Sequence, residues 1–141
     1  MVVDKVELLE RLVVGSVAMT ERAIAAAGTN LTFVQWRVLL IVGERSEGAT
    51  VGEVAARIGA RGSPASRLIS RLKQRGVVLS ERDAVDHRIA RIRLSERGRE
   101  LRRKVLDHRR RDLESMAGSS PVRAVDAEDL RSIARAFEAF S

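Results

Sequence analysis

The apolar residues of this chain repeat with a helical period along most of its length and switch to strand-like alternation only once, between Gly76 and Leu94. A period of 3.6 asks for a buried helical stripe and a period of 2 for a buried sheet face. A chain that follows the first nearly everywhere and the second in one short stretch is therefore expected to be mainly α with a small β wing. At 141 residues it is long enough for one core and too short for a binding domain joined to a separate enzyme domain, so residues 1–141 are read as a single domain.

The helical segments have legible starts and stops. Residues 4–27 place Leu9, Leu12, Val13, Val17 and Ile24 near one face and stop at Gly28. Thr32 followed by Gln35 has the form of a capping box, in which hydroxyl and amide satisfy the free N–H groups of a helix start, and the apolar run around Trp36, Leu39, Leu40 and Val42 follows. Thr50 with Glu53 repeats the device before Val51, Val54, Ala55 and Ile58. Gly59 and Gly62 then break the chain; Ser63 is placed to cap a further helix with Pro64 in its first turn, and Ala65, Leu68, Ile69 and Leu72 give it an apolar face. Two short helices across a glycine turn form a helix-turn-helix candidate.

Beyond Gly76, Val77 to Glu81 and Ile89 to Leu94 are the expected strands. In the second, Ala90, Ile92 and Leu94 alternate with Arg91 and Arg93, and a polar loop from Arg82 to Arg88 joins the two. Ser95 is placed to cap a long helix reaching about Met116; Gly118 to Pro121 reads as the one linker, and Asp126 opens a last helix carrying Leu130, Ile133, Ala134 and Phe137.

Charge narrows the function. The net charge is +7, but residues 61–111 hold 17 Lys and Arg against 6 Asp and Glu, while the rest of the chain has 9 against 13. A contiguous basic half attracts polyanions and releases counterions on meeting phosphates, the footprint of nucleic-acid binding. Enzymatic function is not expected: His87 and His108 are the only histidines, cysteine is absent, and no Gly-rich phosphate loop or His-x-x-x-His spacing occurs, so neither a catalytic set nor a metal site is assigned. No cofactor is required by anything in the sequence. Absence of cysteine fits a reducing compartment. The longest apolar runs, such as Val38 to Val42, fall far short of the roughly 20 residues of a membrane span, so no membrane partner and a cytoplasmic location are expected.

On a helical wheel, the inward set around Leu68 leaves Ser63, Arg67, Ser70 and Gln74 outward, flanked by Ser66 and Arg71. Arg can fork guanine O6 and N7, Gln can pair with adenine, and serine lets the backbone approach phosphates, so this face suits a major groove.

The order of elements resembles the MarR family of winged helix-turn-helix transcriptional regulators over residues 32–98. The likeness is carried by Ser63-Pro-Ala-Ser-Arg-Leu-Ile-Ser-Arg-Leu72, then Gly76-Val77-Val78, then Asp86-His87-Arg88, then Leu94-Ser95-Glu96-Arg97-Gly98, each weak alone and specific in combination. The resemblance implies that the helix over 63–75 enters the major groove of double-stranded DNA, that Arg88 reaches a minor groove, and that Asp86 orients it. Narrow A·T minor grooves concentrate negative potential and attract arginine. Where relatives often carry an Arg before the wing this chain has Leu79-Ser80, so that phosphate contact is either absent or taken by Arg82. His87 is expected to be a solvated turn residue.

The resemblance further implies a homodimer built from residues 4–27 and 95–140, a near-palindromic operator, and repression. The family often binds small aromatic or anionic effectors between its dimerisation helices and DNA-binding lobe; Trp36, Arg37 and His108 are candidate linings here, with Trp36 expected first of all in the core. The competing reading is a winged helix used for protein contacts, which would not need arginines on both the outward helix face and the wing. RNA binding is disfavoured because only three Phe and one Trp are available for base stacking.

Overall fold

The computed structural model describes residues 4–60 and 62–140. Asp4 accepts from the Val6 amide at 2.9 Å and opens α1, Lys5–Ala26, which ends before Gly28 at a φ of +67°. Both bonds of the Thr32–Gln35 box are made, at 3.2 and 3.0 Å, and start α2, Phe33–Val42. The Thr50–Glu53 box does the same at 3.1 and 2.8 Å for α3, Val51–Ile58. α4 covers Ser63–Gln74, α5 Glu96–Gly118, α6 Ser120–Arg123 and α7 Ala127–Glu138.

Three strands form one antiparallel sheet in the order β1-β3-β2: Ala49–Thr50, Ala90–Leu94 and Val78–Arg82. Val78 faces Leu94 and Arg82 faces Ala90, the register in which Val78, Ile92 and Leu94 share the buried face. The two-residue β1, which the sequence does not announce, pairs Ala49 with Ile92 and Thr50 with Arg91. Its backbone is drawn in by Gly48, where any Cβ would stand 2.0 Å from the Ile92 carbonyl oxygen.

Two sequence expectations are corrected. Ser63 does not cap α4: Gly62 holds the cap position at a φ of +69°, with no side-chain cap, and Ser63 is already the first helical residue; a glycine serves because the turn needs that left-handed backbone. The linker expected over Gly118 to Pro121 shrinks to a break at Ser119, since α5 runs through Gly118 and Pro121 suits the opening turn of α6.

The core lies between α2, α3, α4 and the inner sheet face. Trp36, Leu39, Val54, Leu72, Val77, Val78 and Ile92 fill it, joined by Ala23 and Ile24 at the end of α1 and Val105 of α5. The first half of α1 and all of α7 add nothing to this core among the described residues; Leu9, Leu12, Val13, Leu130 and Phe140 remain exposed. No described helix is long and apolar enough to cross a membrane.

Candidate DNA-binding interface

Burying Ala65, Ile69 and Leu72 turns the other side of α4 outward, and Ser66, Arg67, Ser70, Arg71 and Gln74 are all exposed there. The Ser63 side chain lies outside the described residues. Among the described residues no carboxylate pairs with Arg67 or Arg71. Arg75, one turn further, points the other way: it donates to the Asn30 carbonyl at 3.1 Å and to Gln35 Oε1 at 3.0 Å, pinning α4 to the start of α2.

The wing is set by two carboxylates. Asp86 Oδ1 accepts from the Arg88 amide at 3.0 Å and from Arg88 Nε at 3.1 Å, while Oδ2 accepts from Arg88 Nη2 at 3.2 Å. The fork presents the guanidinium outward, with 91% of the Arg88 side chain exposed. The Arg88 guanidinium, followed by its amide, lowers the Asp86 carboxyl below its usual range. Asp83, which in the sequence is one more residue of the polar loop, accepts from the Val85 and Asp86 amides at 2.9 and 3.0 Å and pairs with Arg91 of β3. The Asp86 amide, the Arg91 guanidinium and the Val85 amide together bring its carboxyl down to about 2. The available signal was an aspartate beginning a turn, a position from which its oxygen reaches the amides just ahead.

Cation partners sort the basic residues. Arg91 is held by Asp83, and Arg93 donates to Glu81 at 2.9 Å. Arg82 is exposed at the end of β2, on the sheet face shared by Val78 and Ile92. Arg82 and Arg88 are exposed on the wing, as Arg67 and Arg71 are on α4. His87 is exposed.

The three candidate effector residues are not brought together. Trp36 is fully buried in the core, and Arg37 donates to the Arg57 carbonyl at 2.7 Å, satisfying the end of α3. His108 is half-buried on α5. A cavity of about 460 Å³ opens elsewhere, where the end of α2, β3 and the first half of α5 meet, and Arg45, Arg93, Arg99, Arg102, Arg103 and Asp107 line it. Gly43 lets the Arg102 side chain pack against the end of α2: a Cβ there would stand 2.6 Å from Arg102 Nε. That Nε is buried with no hydrogen-bond partner. Nearby Arg109 is pushed below the usual arginine range by burial and by repulsion from Arg102. Among the described residues no group of acidic, His or Cys side chains could hold a metal ion.

Comparison with known proteins places this geometry. Residues 29–89 match the MarR family profile. A search of curated protein sequences finds no significant match. Among solved structures, a MarR family protein from Bacillus stearothermophilus is 25% identical with a TM-score of 0.72, covering 96% of this chain and 90% of that one. CouR from Rhodococcus jostii, solved with p-coumaroyl-CoA bound, is 24% identical with a TM-score of 0.75, covering 97% and 92%. BpsR from Bordetella bronchiseptica, whose DNA binding is regulated by 6-hydroxynicotinic acid, is 20% identical with a TM-score of 0.69, covering 97% and 92%. The profile match falls on the helix-turn-helix and the wing as far as residue 89, and the likeness to solved MarR family structures runs nearly the full length, so the chain has the MarR-type winged-helix fold.

Proposed function

We propose that this protein is a transcriptional repressor that binds a near-palindromic operator as a homodimer. The observation that carries the reading is the pairing of an exposed, uncompensated α4 face with a wing arginine held outward by its own carboxylate fork. Ser66, Arg67, Ser70, Arg71 and Gln74 read or approach the major groove. Arg88, oriented by Asp86, enters the flanking minor groove, and Arg82 meets phosphate. Residues 32–98 act as the DNA-binding lobe and residues 4–27 and 95–140 as the dimerisation region. Two recognition helices related by a two-fold axis then fall about one helical turn of DNA apart.

The dimer is supported by apolar surface that the core leaves uncovered. A cleft of about 350 Å³ between α1 and α7 is lined by Val6, Leu9, Val13, Val14, Phe137 and Phe140, a composition expected at an interface between copies. A small anion with an apolar body is the effector chemistry that suits the arginine-lined cavity, where Leu94 and Leu106 supply apolar surface. Regulation of BpsR's DNA binding by 6-hydroxynicotinic acid supports this part of the reading.

The test is selection of duplexes from a random-sequence pool by the purified protein, followed by titration across salt. Recovery of a two-fold-symmetric sequence, bound with a steep salt dependence, is expected. Arg88→Ala should weaken it by about 1–3 kcal/mol, on the order of ten- to a hundredfold. Charge reversal at Arg67 and Arg88 that leaves binding unchanged would instead favour a protein-interaction module.

A further inference from the structure

We propose that Asp83 is a positioning residue for the wing arginine: it holds the loop in the one shape from which Asp86 can fork Arg88. The inference rests on the minor-groove reading of Arg88 and adds a residue behind it. Asp83 sits where β2 gives way to the loop, and its amide donates to the Ile89 carbonyl at 2.9 Å, closing residues 83–89 into a ring. Within that ring Oδ1 accepts both the Val85 and the Asp86 amides, so the backbone of Asp86 is held by the Asp83 side chain. Ile89 completes the hold by donating its amide to the Asp86 carbonyl at 3.0 Å.

The other carboxylate oxygen ties this ring to the body of the molecule. Oδ2 takes Arg91 Nε, and Arg91 sits opposite Thr50, the residue that caps α3. The Asp83 side chain is 13% exposed and that of Arg91 28%, against 91% for Arg88, so the anchor is shielded while the residue it serves is free. A loop of this length with no such anchor would spread Arg88 over many positions, and binding would have to supply the lost entropy.

Sign separates this role from simple electrostatics. Asp83 is an anion beside a surface that meets phosphates, and removing it should by charge alone tighten DNA binding. The anchor role requires the opposite for the selected duplex. Binding of wild type, Asp83→Ala, Arg88→Ala and the double variant would be measured on the selected duplex and on an unrelated duplex, at one salt concentration. Asp83→Ala is expected to lose roughly tenfold on the selected duplex, to bind the unrelated duplex as well as wild type or better, and to cost nothing further once Arg88 is alanine. In the free protein, the Arg88 Nε–H signal should be protected from exchange in wild type and lost in the variant.

Undiminished binding of Asp83→Ala to the selected duplex would overturn the inference alone, as would an equal loss with and without Arg88. If Arg88→Ala itself binds like wild type, the minor-groove reading falls and the inference with it. Should the alanine variant fail to melt cooperatively, Asp83→Asn carries the same cycle, because it keeps an acceptor for both amides and sets an NH2 group against Arg91. It is expected to weaken the selected duplex through Arg88 in the same non-additive way, and additive behaviour would reject the proposal.

Discussion

Gly98 shows how one residue can be fixed by its neighbours rather than by its own element. A glycine in the first turn of a helix would ordinarily be improved by alanine, since it gives up about 0.5–1 kcal/mol of helix stability. Here a Cβ would stand 2.0 Å from the Val77 carbonyl oxygen, which already accepts the Ser95 amide at 3.1 Å. Backbone cannot yield as a side-chain tip can, so Gly98→Ala is expected to destabilise the fold by about 1–3 kcal/mol, read as a lower denaturant midpoint at unchanged slope. Asp83 makes a second prediction at this scale. Its carboxyl is lowered from 3.8 to about 2, so its bonds contribute above the unfolded value and are lost as pH falls from about 4 toward 2. Carboxyl carbon shifts followed by NMR should give Asp83 the lower midpoint of the wing aspartates, and a midpoint near 4 would remove the anchor.

Among the elements, the caps and the periodic faces were legible because their causes are local. Thr32 with Gln35 and Thr50 with Glu53 make the bonds their spacing announces, and Ile92 and Leu94 are buried where alternation puts them. What was not legible was set by partners distant in sequence. β1 has two residues and forms only because Gly48 lets the chain approach Ile92; Arg75, outwardly one more cation of the basic half, is spent on Asn30 and Gln35. Trp36 lies in the core, its first expectation, while the cavity forms further along the chain than the candidate lining of Trp36, Arg37 and His108, where Gly43 lets Arg102 pack close. If this junction of α2, β3 and α5 receives an anionic effector, a small aromatic carboxylate should release the selected duplex from wild type. Arg102→Leu should raise the concentration required by about tenfold or more, since a charge-assisted bond to a buried site is worth roughly 1.5–3 kcal/mol. Equal sensitivity of the two proteins would assign the effector to another place.

For the whole molecule, the exposed apolar surface on α1 and α7 is the decisive feature. Leu12 is 50% exposed and Leu130 47% in the single chain, surface that a second copy would remove from water. Leu12→Asp with Leu130→Asp should therefore shift the mass in solution from twice 15.6 kDa to 15.6 kDa, leave the helix content nearly unchanged, and weaken the selected duplex far more than an unrelated one. A variant pair that remains dimeric would move the interface elsewhere. Loss of the dimer should be costly because half-site spacing is imposed by the two-fold axis, which one copy alone does not possess.

The sequence by itself determined the order of helices and hairpin, the direction in which α4 turns its arginines, and the concentration of charge in one half of the chain. Those properties follow from periods, caps and side-chain chemistry that act over a few residues. Tertiary structure alone decided which cations stay unpaired, why Asp83 rather than Asp86 anchors the wing, and where a cavity opens. Each depends on atoms that folding brings together, Asp83 with Arg91 across the hairpin and Gly43 with Arg102 from far along the chain, and the periods and caps do not encode those distances.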